Sequence, residues 1–198
     1  METTDNYRKH TTKSLAQRLL IKNFTNTLIS TVKKLKVNSI LDVGSGEGFV
    51  LEELRVNKVG ASLEGIDFLE KAVEIGQKIH PKIKLLKGSI YDLSYKDNSF
   101  DLVICTEVLE HLEFPDKGLK ELVRVARKYL ILSVPNEPIF MVSNFLRGKN
   151  WSRWGNDVEH INHWSSWSFR KFIIHNSRLR ILKVRHPFPW TMLLLEKI

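Results

Sequence analysis

The chain has 198 residues, of which 42% are hydrophobic, so it can bury one sizeable core. Its formal net charge is +9, and its single cysteine, Cys105, excludes an intramolecular disulfide and a cysteine-rich zinc site. The sequence has no apolar run of membrane-spanning length and no signal-peptide core at its N-terminus. We therefore expect a single domain over residues 1–198, located in the cytoplasm.

The first predicted element is a helix within an N-terminal helical region, residues 1–37. Thr11 or Thr12 is placed to cap this helix. Seven apolar residues recur at helical spacing: Leu15, Leu19, Leu20, Phe24, Leu28, Val32 and Leu35.

Strands and helices then alternate as far as residue 134. The predicted strands are SILDV, LEGID, KIKLL, 101–105 and 129–134, and the predicted helices are 49–54, 69–79 and 116–128. This alternation is typical of parallel strands joined by helical crossovers. Cys105 lies within an apolar strand, so we expect it to be a buried small residue.

The periodicity lapses over residues 136–165, which we interpret as an irregular insertion that forms a substrate lid. A short helix over 167–175 and two strands over 179–184 and 191–197 complete the chain. The connection between these strands is too short for a crossover helix, so they should be antiparallel. Four helix residues are expected in the core: Trp167, Phe169, Phe172 and Ile173.

A glycine-rich turn, Asp42-Val43-Gly44-Ser45-Gly46-Glu47-Gly48, follows the first strand and precedes a helix. Glycines allow tight backbone geometry and close approach of a ligand, and N–H groups at the helix start attract anionic groups. A purely structural strand-to-helix turn is the alternative. The GxGxG spacing differs from the GxGxxG of dinucleotide-binding proteins, which weakens an NAD interpretation.

The turn resembles motif I of the class I S-adenosylmethionine-dependent methyltransferases, and the resemblance extends over residues 38–135. Asp67 ends the second strand, Gly88-Ser89-Ile90 follows the third, and Val134-Pro135-Asn136 ends the fifth. The resemblance implies an α/β fold, a Rossmann-like seven-stranded sheet of order 3-2-1-4-5-7-6 with helices on both faces.

By the same resemblance, S-adenosylmethionine is the expected cofactor, with Asp67 holding the ribose. The residues implied to bind it are Asp42, Gly44, Ser45, Gly46, Asp67, Phe68, Ser89, Ile90 and Thr106. Many family members have Asp after the third-strand glycine, where this chain has Ser89. The adenine amino group could therefore be bound by Ser89, by the Ile90 backbone or by Asp92, which could alternatively cap a helix or turn.

A second motif, Glu107-Val108-Leu109-Glu110-His111, follows the fourth strand. On a helix its two glutamates and its histidine share one face, which suits a metal or acid/base site. Residues 159–164 supply two more histidines, so we predict a divalent metal at Glu107, Glu110, His111 and His160. As the alternative, His111, His160 or His163 acts as a general base, or the cluster merely braces the loop.

This motif resembles the EVLEH-like run of ubiquinone O-methyltransferases and the E-x-x-E-H motif of small-RNA 3′-terminal 2′-O-methyltransferases. Aromatic and basic residues also interleave over 145–154, where they could stack bases, line an apolar pocket, contact a membrane surface or simply pack. The expected function is methylation of a small-molecule acceptor, with O-methylation favoured. The alternatives are an RNA 2′-O-methyltransferase and a non-catalytic binding or scaffold protein.

Overall fold

The structure is a computed structural model that describes residues 4–146 and 160–198. Its strands are β1 (Ser39–Val43), β2 (Ser62–Asp67), β3 (Lys84–Lys87), β4 (Phe100–Thr106), β5 (Ala126–Pro135), β6 (Leu179–Arg185) and β7 (Trp190–Lys197). The helices described are α1 (Asp5–His10), α2 (Leu15–Val32), α3 (Phe49–Val56), α4 (Glu70–Ile79), α5 (Pro115–Val125), α6 (Glu137–Leu146) and α7 (Ser166–Asn176). The strands expected from the sequence are therefore all present, with small shifts at their ends.

All seven strands form one sheet in the order β3-β2-β1-β4-β5-β7-β6, which confirms the predicted fold. The first five strands are parallel to one another. β7 runs antiparallel to both β5 and β6, as the short connection between the last two strands predicted. The parallel part brings the carboxyl ends of β1, β2 and β4 to the same edge of the sheet.

Each face of the sheet carries its own hydrophobic core, because successive strand residues point to opposite faces. On one face Leu41 and Val103 pack in a cluster with apolar residues of α5 and α7. On the other face Ile40 and Leu102 pack with apolar residues of α2, α3 and α4. Helices thus cover both faces, and Cys105 is fully buried in β4, as expected.

The N-terminal region differs from its prediction in two ways. It contains α1, a six-residue helix of which no residue is buried and which therefore has no apolar periodicity to reveal it. The longer helix, α2, is capped by the Ser14 side chain, which accepts a hydrogen bond from the backbone N–H of Gln17. The Thr11 and Thr12 cap predictions were wrong, because the helix begins two to three residues later.

The segment after β5 also departs from the sequence expectation. Residues 137–146 form α6, whereas an irregular insertion was predicted over 136–165. Ile139, Phe140, Met141 and Val142 are consecutive apolar residues, so no single apolar face marks this helix. The predicted lid residues 147–159, including most of the aromatic and basic run, lie outside the described residues.

α7 has the predicted position and is closed at its start by a capping box between Ser165 and Ser168. Phe169 and Ile173 are fully buried, and Phe172 packs partly buried against the core. Trp167, however, is 63% exposed, so its assignment to the core was wrong. Within the described parts of the chain, none of the helices is sufficiently long and apolar to cross a membrane.

Candidate active site

A cavity of about 1560 Å³ lies where β1, β2 and β4 end. Val43, Asp67 and Thr106, at the carboxyl ends of these strands, line its floor. In open α/β sheets this edge is where ligands bind. The cavity continues from the glycine turn to the motif that contains Glu110 and His111, so both predicted sites open into the same space.

The glycine turn is held together by its own backbone amides. Gly44 and Ser45 donate to the Ile66 carbonyl at 2.7 and 3.0 Å, and Gly46 donates to Asp67 Oδ2 at 2.7 Å. The Gly48 amide donates to the Ser45 carbonyl at 2.9 Å. Because these four N–H groups are already used, they do not form the anion-binding nest that we expected from the sequence.

The glycines are required by backbone conformation and by close neighbours. Gly44 has φ +79°, and a Cβ at this position would overlap Val108 Cγ2. Gly46 has φ +53°, and a Cβ there would overlap the Asn6 side-chain amide. Both φ values lie in the left-handed region that favours glycine. The turn is therefore tight, and the side chains of Val108 and Asn6 pack directly against its backbone.

Two carboxyl groups lie beneath and beside this turn. Asp42 is buried, and desolvation together with the charge of Asp67 raises its pKa to about 7. Burial also raises the pKa of Asp67, with a further contribution from Glu47, whereas hydrogen bonds from the Leu69 and Gly46 amides act in the opposite direction. Asp67 has one backbone bond to each oxygen, and a carboxylate can accept more than two hydrogen bonds.

The residues after β2 and β3 form a further part of the cavity wall. Phe68, which is 73% exposed, lines it together with Ser89, Ile90 and Tyr91. The Ser89 hydroxyl accepts a hydrogen bond from the Tyr91 amide at 3.2 Å. Asp92 is exposed, is not among the lining residues and pairs with Ser89 in an isolated bridge, so its position fits the turn role better than adenine binding.

The acidic and histidine motif is only partly helical. Leu109–His111 form one short 3₁₀ turn, while Glu107 precedes it with φ +60°. Glu107 therefore does not share a helix face with Glu110 and His111, and its carboxylate accepts a hydrogen bond from Ser133 at 3.0 Å. The expectation of a single helical face was wrong, because it assumed a helical period through a non-helical residue.

Glu110, His111 and His160 nevertheless come together from distant parts of the chain. One potential ligand atom from each lies within 4.8 Å of the others. Glu110 is 1% exposed, and neither of its carboxylate oxygens has a hydrogen-bond partner among the described residues. Burial raises its pKa well above the usual value, and the charge of Glu107 adds to this effect. Of the four predicted metal ligands, the structure thus gathers three.

His160 is positioned by a residue that the sequence reasoning missed. Its Nδ1 lies 2.5 Å from Oε1 of Glu137, and both side chains are almost fully buried. Nδ1 of His163 lies 3.6 Å from the same oxygen of Glu137. The His163 side chain is 39% exposed and does not line the cavity. Glu137 lies two residues after the end of β5, and this position near a strand end was the signal that could have identified it.

The rest of the cavity wall comes from elements that the sequence did not assign to the site. Leu20, Ile21 and Phe24 of α2, Phe140 of α6 and Trp190 of β7 give an apolar wall near the acidic residues. α1 contributes polar residues to the cavity lining, among them Asn6 and Lys9, and Nζ of Lys9 lies 5.3 Å from the ring centroid of Trp190. A small molecule with an apolar body and a polar reacting group fits this combination.

Comparisons with known proteins point to one family. Residues 41–132 match the family described as "Methyltransferase domain". Norajmaline N-methyltransferase of Rauvolfia serpentina is 30% identical over 126 residues, which cover 61% of this chain and 40% of that protein. The mitochondrial ubiquinone biosynthesis O-methyltransferase of Schizosaccharomyces pombe is 34% identical over 83 residues, or 38% of this chain and 29% of that protein.

A solved structure supports the same fold over nearly the whole chain. The structure is magnesium protoporphyrin IX methyltransferase from Synechocystis with bound S-adenosylhomocysteine (SAH). It superposes with a TM-score of 0.73 at 19% sequence identity, and the match covers 97% of this chain and 92% of that one. The matches to the two curated relatives, in contrast, span less than half of each relative's length.

Proposed function

We propose that this chain is a class I methyltransferase that transfers a methyl group from S-adenosylmethionine to a hydroxyl group of a small-molecule acceptor. The observation that carries the proposal is the single cavity that joins the glycine turn and Asp67 to the cluster of Glu110, His111 and His160. Donor and acceptor can therefore meet in one space. The relatives include both N- and O-methyltransferases, so the choice of oxygen rests on the histidine cluster.

The residues around the glycine turn fit S-adenosylmethionine. The turn lines the cavity, and its amides are not directed at an anion, unlike those of a pyrophosphate-binding loop. We assign the ribose hydroxyls to Asp67, whose carboxylate retains acceptor capacity. Phe68, Ser89 and Ile90 are the proposed wall of the adenine site, with Ser45 and Thr106 lining the cavity near the loop.

The sulfonium cofactor supplies an activated methyl group for in-line displacement, so the protein mainly has to orient the acceptor. The apolar residues Phe24, Phe140 and Trp190 hold the acceptor body. His160 is the proposed general base that removes the hydroxyl proton, because Glu137 holds its Nδ1 and thereby orients the imidazole ring in the cavity. His111 lies beside it, with ring centroids 5.0 Å apart, and helps to position the acceptor.

The test is mass spectrometry of reactions that contain the protein, methyl-labelled S-adenosylmethionine and extracts of small metabolites or of RNA. We expect label in a small metabolite, on oxygen. Label only in RNA, together with salt-dependent RNA binding, would favour the alternative RNA 2′-O-methyltransferase. Cofactor binding without transfer to any acceptor would favour a non-catalytic binding protein.

A second candidate role for the same cluster is a divalent metal site. The unpartnered, buried carboxylate of Glu110 favours it, since a cation would satisfy both oxygens. Glu110, His111 and His160 would be the ligands, and Glu137 would orient His160 from behind. A bound metal would lower the pKa of a coordinated hydroxyl.

Calorimetric titration with Mn²⁺ and with Zn²⁺ tests this role. Binding that is lost in Glu110→Gln but kept in Glu113→Gln would support it. The absence of saturable binding in the wild-type protein would leave the histidines with the acid/base role alone.

A further inference from the structure

α1 lies against the cofactor side of the cavity although none of its own residues is buried. A six-residue helix is too short to be stable alone in water, so contacts with the rest of the protein must hold it in place. Those contacts are polar and aromatic rather than a buried apolar face, and two of them are hydrogen bonds to a single residue of the glycine turn.

That residue is Glu47, which stands between Gly46 and Gly48 and is 0% exposed. Each of its carboxylate oxygens accepts a hydrogen bond from the N-terminal segment: Oε1 from the Thr4 hydroxyl and Oε2 from the Asn6 side-chain amide at 2.5 Å. A buried carboxylate is unfavourable unless it is hydrogen-bonded. The two hydrogen bonds to the buried Glu47 carboxylate therefore stabilise the docked position of α1.

The far end of α1 is held by a stack of rings. His10 stacks on Phe49 with centroids 4.3 Å apart and planes 5° from parallel, and Phe49 meets the edge of His80 at 5.0 Å. Nδ1 of His80 lies 2.9 Å from the backbone carbonyl of Glu47, so this group of rings also contacts Glu47. Burial, with the charges of Lys9 and His80, lowers the pKa of His10 to about 4, so the ring stacks in its neutral form.

The Asn6 side chain lies directly over Gly46, since a Cβ on this glycine would overlap it. The proposed cofactor-binding turn and the N-terminal helix are thus in direct contact. With α1 docked, the turn is covered on this side, and with α1 displaced it would open to solvent. We therefore expect the position of α1 to affect the rate at which a ligand leaves the turn.

We propose that Glu47 is a positioning residue that holds α1 closed over the glycine turn and thereby slows release of the bound cofactor. The identity of the ligand in this inference rests on the proposed function. The docking of α1 by Glu47 does not. It assigns a role to a residue of the turn whose carboxylate is turned toward the N-terminal segment.

Two measurements on the full chain test the inference. The first is the dissociation rate of S-adenosylhomocysteine, followed by displacement with excess S-adenosylmethionine. We expect Glu47→Gln to raise this rate about tenfold or more, which is the effect of losing a charge-assisted hydrogen bond. Glu53→Gln, a matched change at an exposed position of α3, should leave it unchanged. Equal rates for Glu47→Gln and the wild type would overturn the proposal.

The second measurement is limited trypsin digestion with mass spectrometry of the cleavages after Arg8 and Lys9, without any ligand. Faster cleavage is expected in Glu47→Gln and in the double variant Thr4→Ala/Asn6→Ala, which leaves the turn intact even if Glu47→Gln folds poorly. Unchanged cleavage in both variants would show that α1 is not held by Glu47. If instead the cleavage responds but the wild type binds neither ligand, the proposed function fails while the docking role stands.

Discussion

Asp67 and Gly46 are joined by a hydrogen bond of 2.7 Å from the glycine amide to Oδ2 of the carboxylate. The end of β2 thereby fixes the turn that follows β1, and the other oxygen, Oδ1, accepts from the Leu69 amide at 2.8 Å. One side chain thus organises the turn and faces the cavity. A change at Asp67 should therefore affect the turn geometry and the ribose contacts together.

The first prediction concerns Asp67→Ala. Loss of the bonds to the ribose and to Gly46 should weaken cofactor binding by about 10- to 100-fold, the range expected for hydrogen bonds to a charged group. Calorimetry with S-adenosylhomocysteine measures this change, and circular dichroism checks the fold. Asp92→Ala is the control, since Asp92 is exposed and outside the cavity lining. Equal loss in both variants would contradict the assignment.

The second prediction separates catalysis from cofactor binding. His160→Gln should lower kcat by about 10²- to 10⁴-fold, the usual contribution of a general base, and should leave the dissociation constant of S-adenosylhomocysteine unchanged. Glu137→Gln should give a smaller decrease in kcat, because Glu137 acts through its hydrogen bond to His160. His163→Gln, which changes an exposed side chain outside the cavity lining, should remain active. A larger loss in His163→Gln than in His160→Gln would exchange their roles.

The third prediction follows from Asp42, whose pKa is about 7. Asp42 is neutral below this pH and negative above it, and a nearby negative charge favours the cationic S-adenosylmethionine over its uncharged thioether product. The affinity ratio of S-adenosylmethionine to S-adenosylhomocysteine should therefore rise between pH 6 and pH 8. Calorimetry at several pH values measures the ratio, and Asp42→Asn should remove its pH dependence. A flat ratio in the wild type would contradict the electrostatic role.

The fourth prediction compares two aromatic residues of α7. Phe169→Ala should destabilise the protein by about 3–5 kcal/mol, because Phe169 is fully buried against Trp164 and the sheet. Trp167→Ala should change the free energy of unfolding by less than about 1 kcal/mol, because its ring is mostly exposed and contacts Lys171. Chemical denaturation measures both. Equal destabilisation would mean that Trp167 is buried in solution.

The central part of the fold was predictable because strands such as Ser39–Val43 are short apolar runs with turn residues on both sides. The turn at Gly44 and Gly46 and the acid at Asp67 were also recognisable, since they follow strands directly. α1 and α6 were not, because the first has no buried face and the second is apolar on several sides. Helix prediction from periodicity needs one apolar face and fails in both situations.

The candidate site shows the same limit. Glu110 and His111 were predicted together because they are neighbours in sequence, but Glu107 could not be separated from them without knowledge of its left-handed backbone. Similarly, the use of the Gly44 and Ser45 amides depends on the Ile66 carbonyl, which tertiary structure brings into place. Trp190 and the residues of α1 reach the cavity only through the fold, and the contact between Glu137 and His160 likewise depends on tertiary structure.

The most direct test of the central claim is calorimetric titration of the purified chain with S-adenosylmethionine and with S-adenosylhomocysteine. The proposed site predicts saturable binding of both, with one molecule per chain, and its loss when Gly44 is replaced by Val, provided that this variant remains folded. Absence of a binding signal with either compound, in a protein shown to be folded, would contradict the assignment of this cavity to the cofactor.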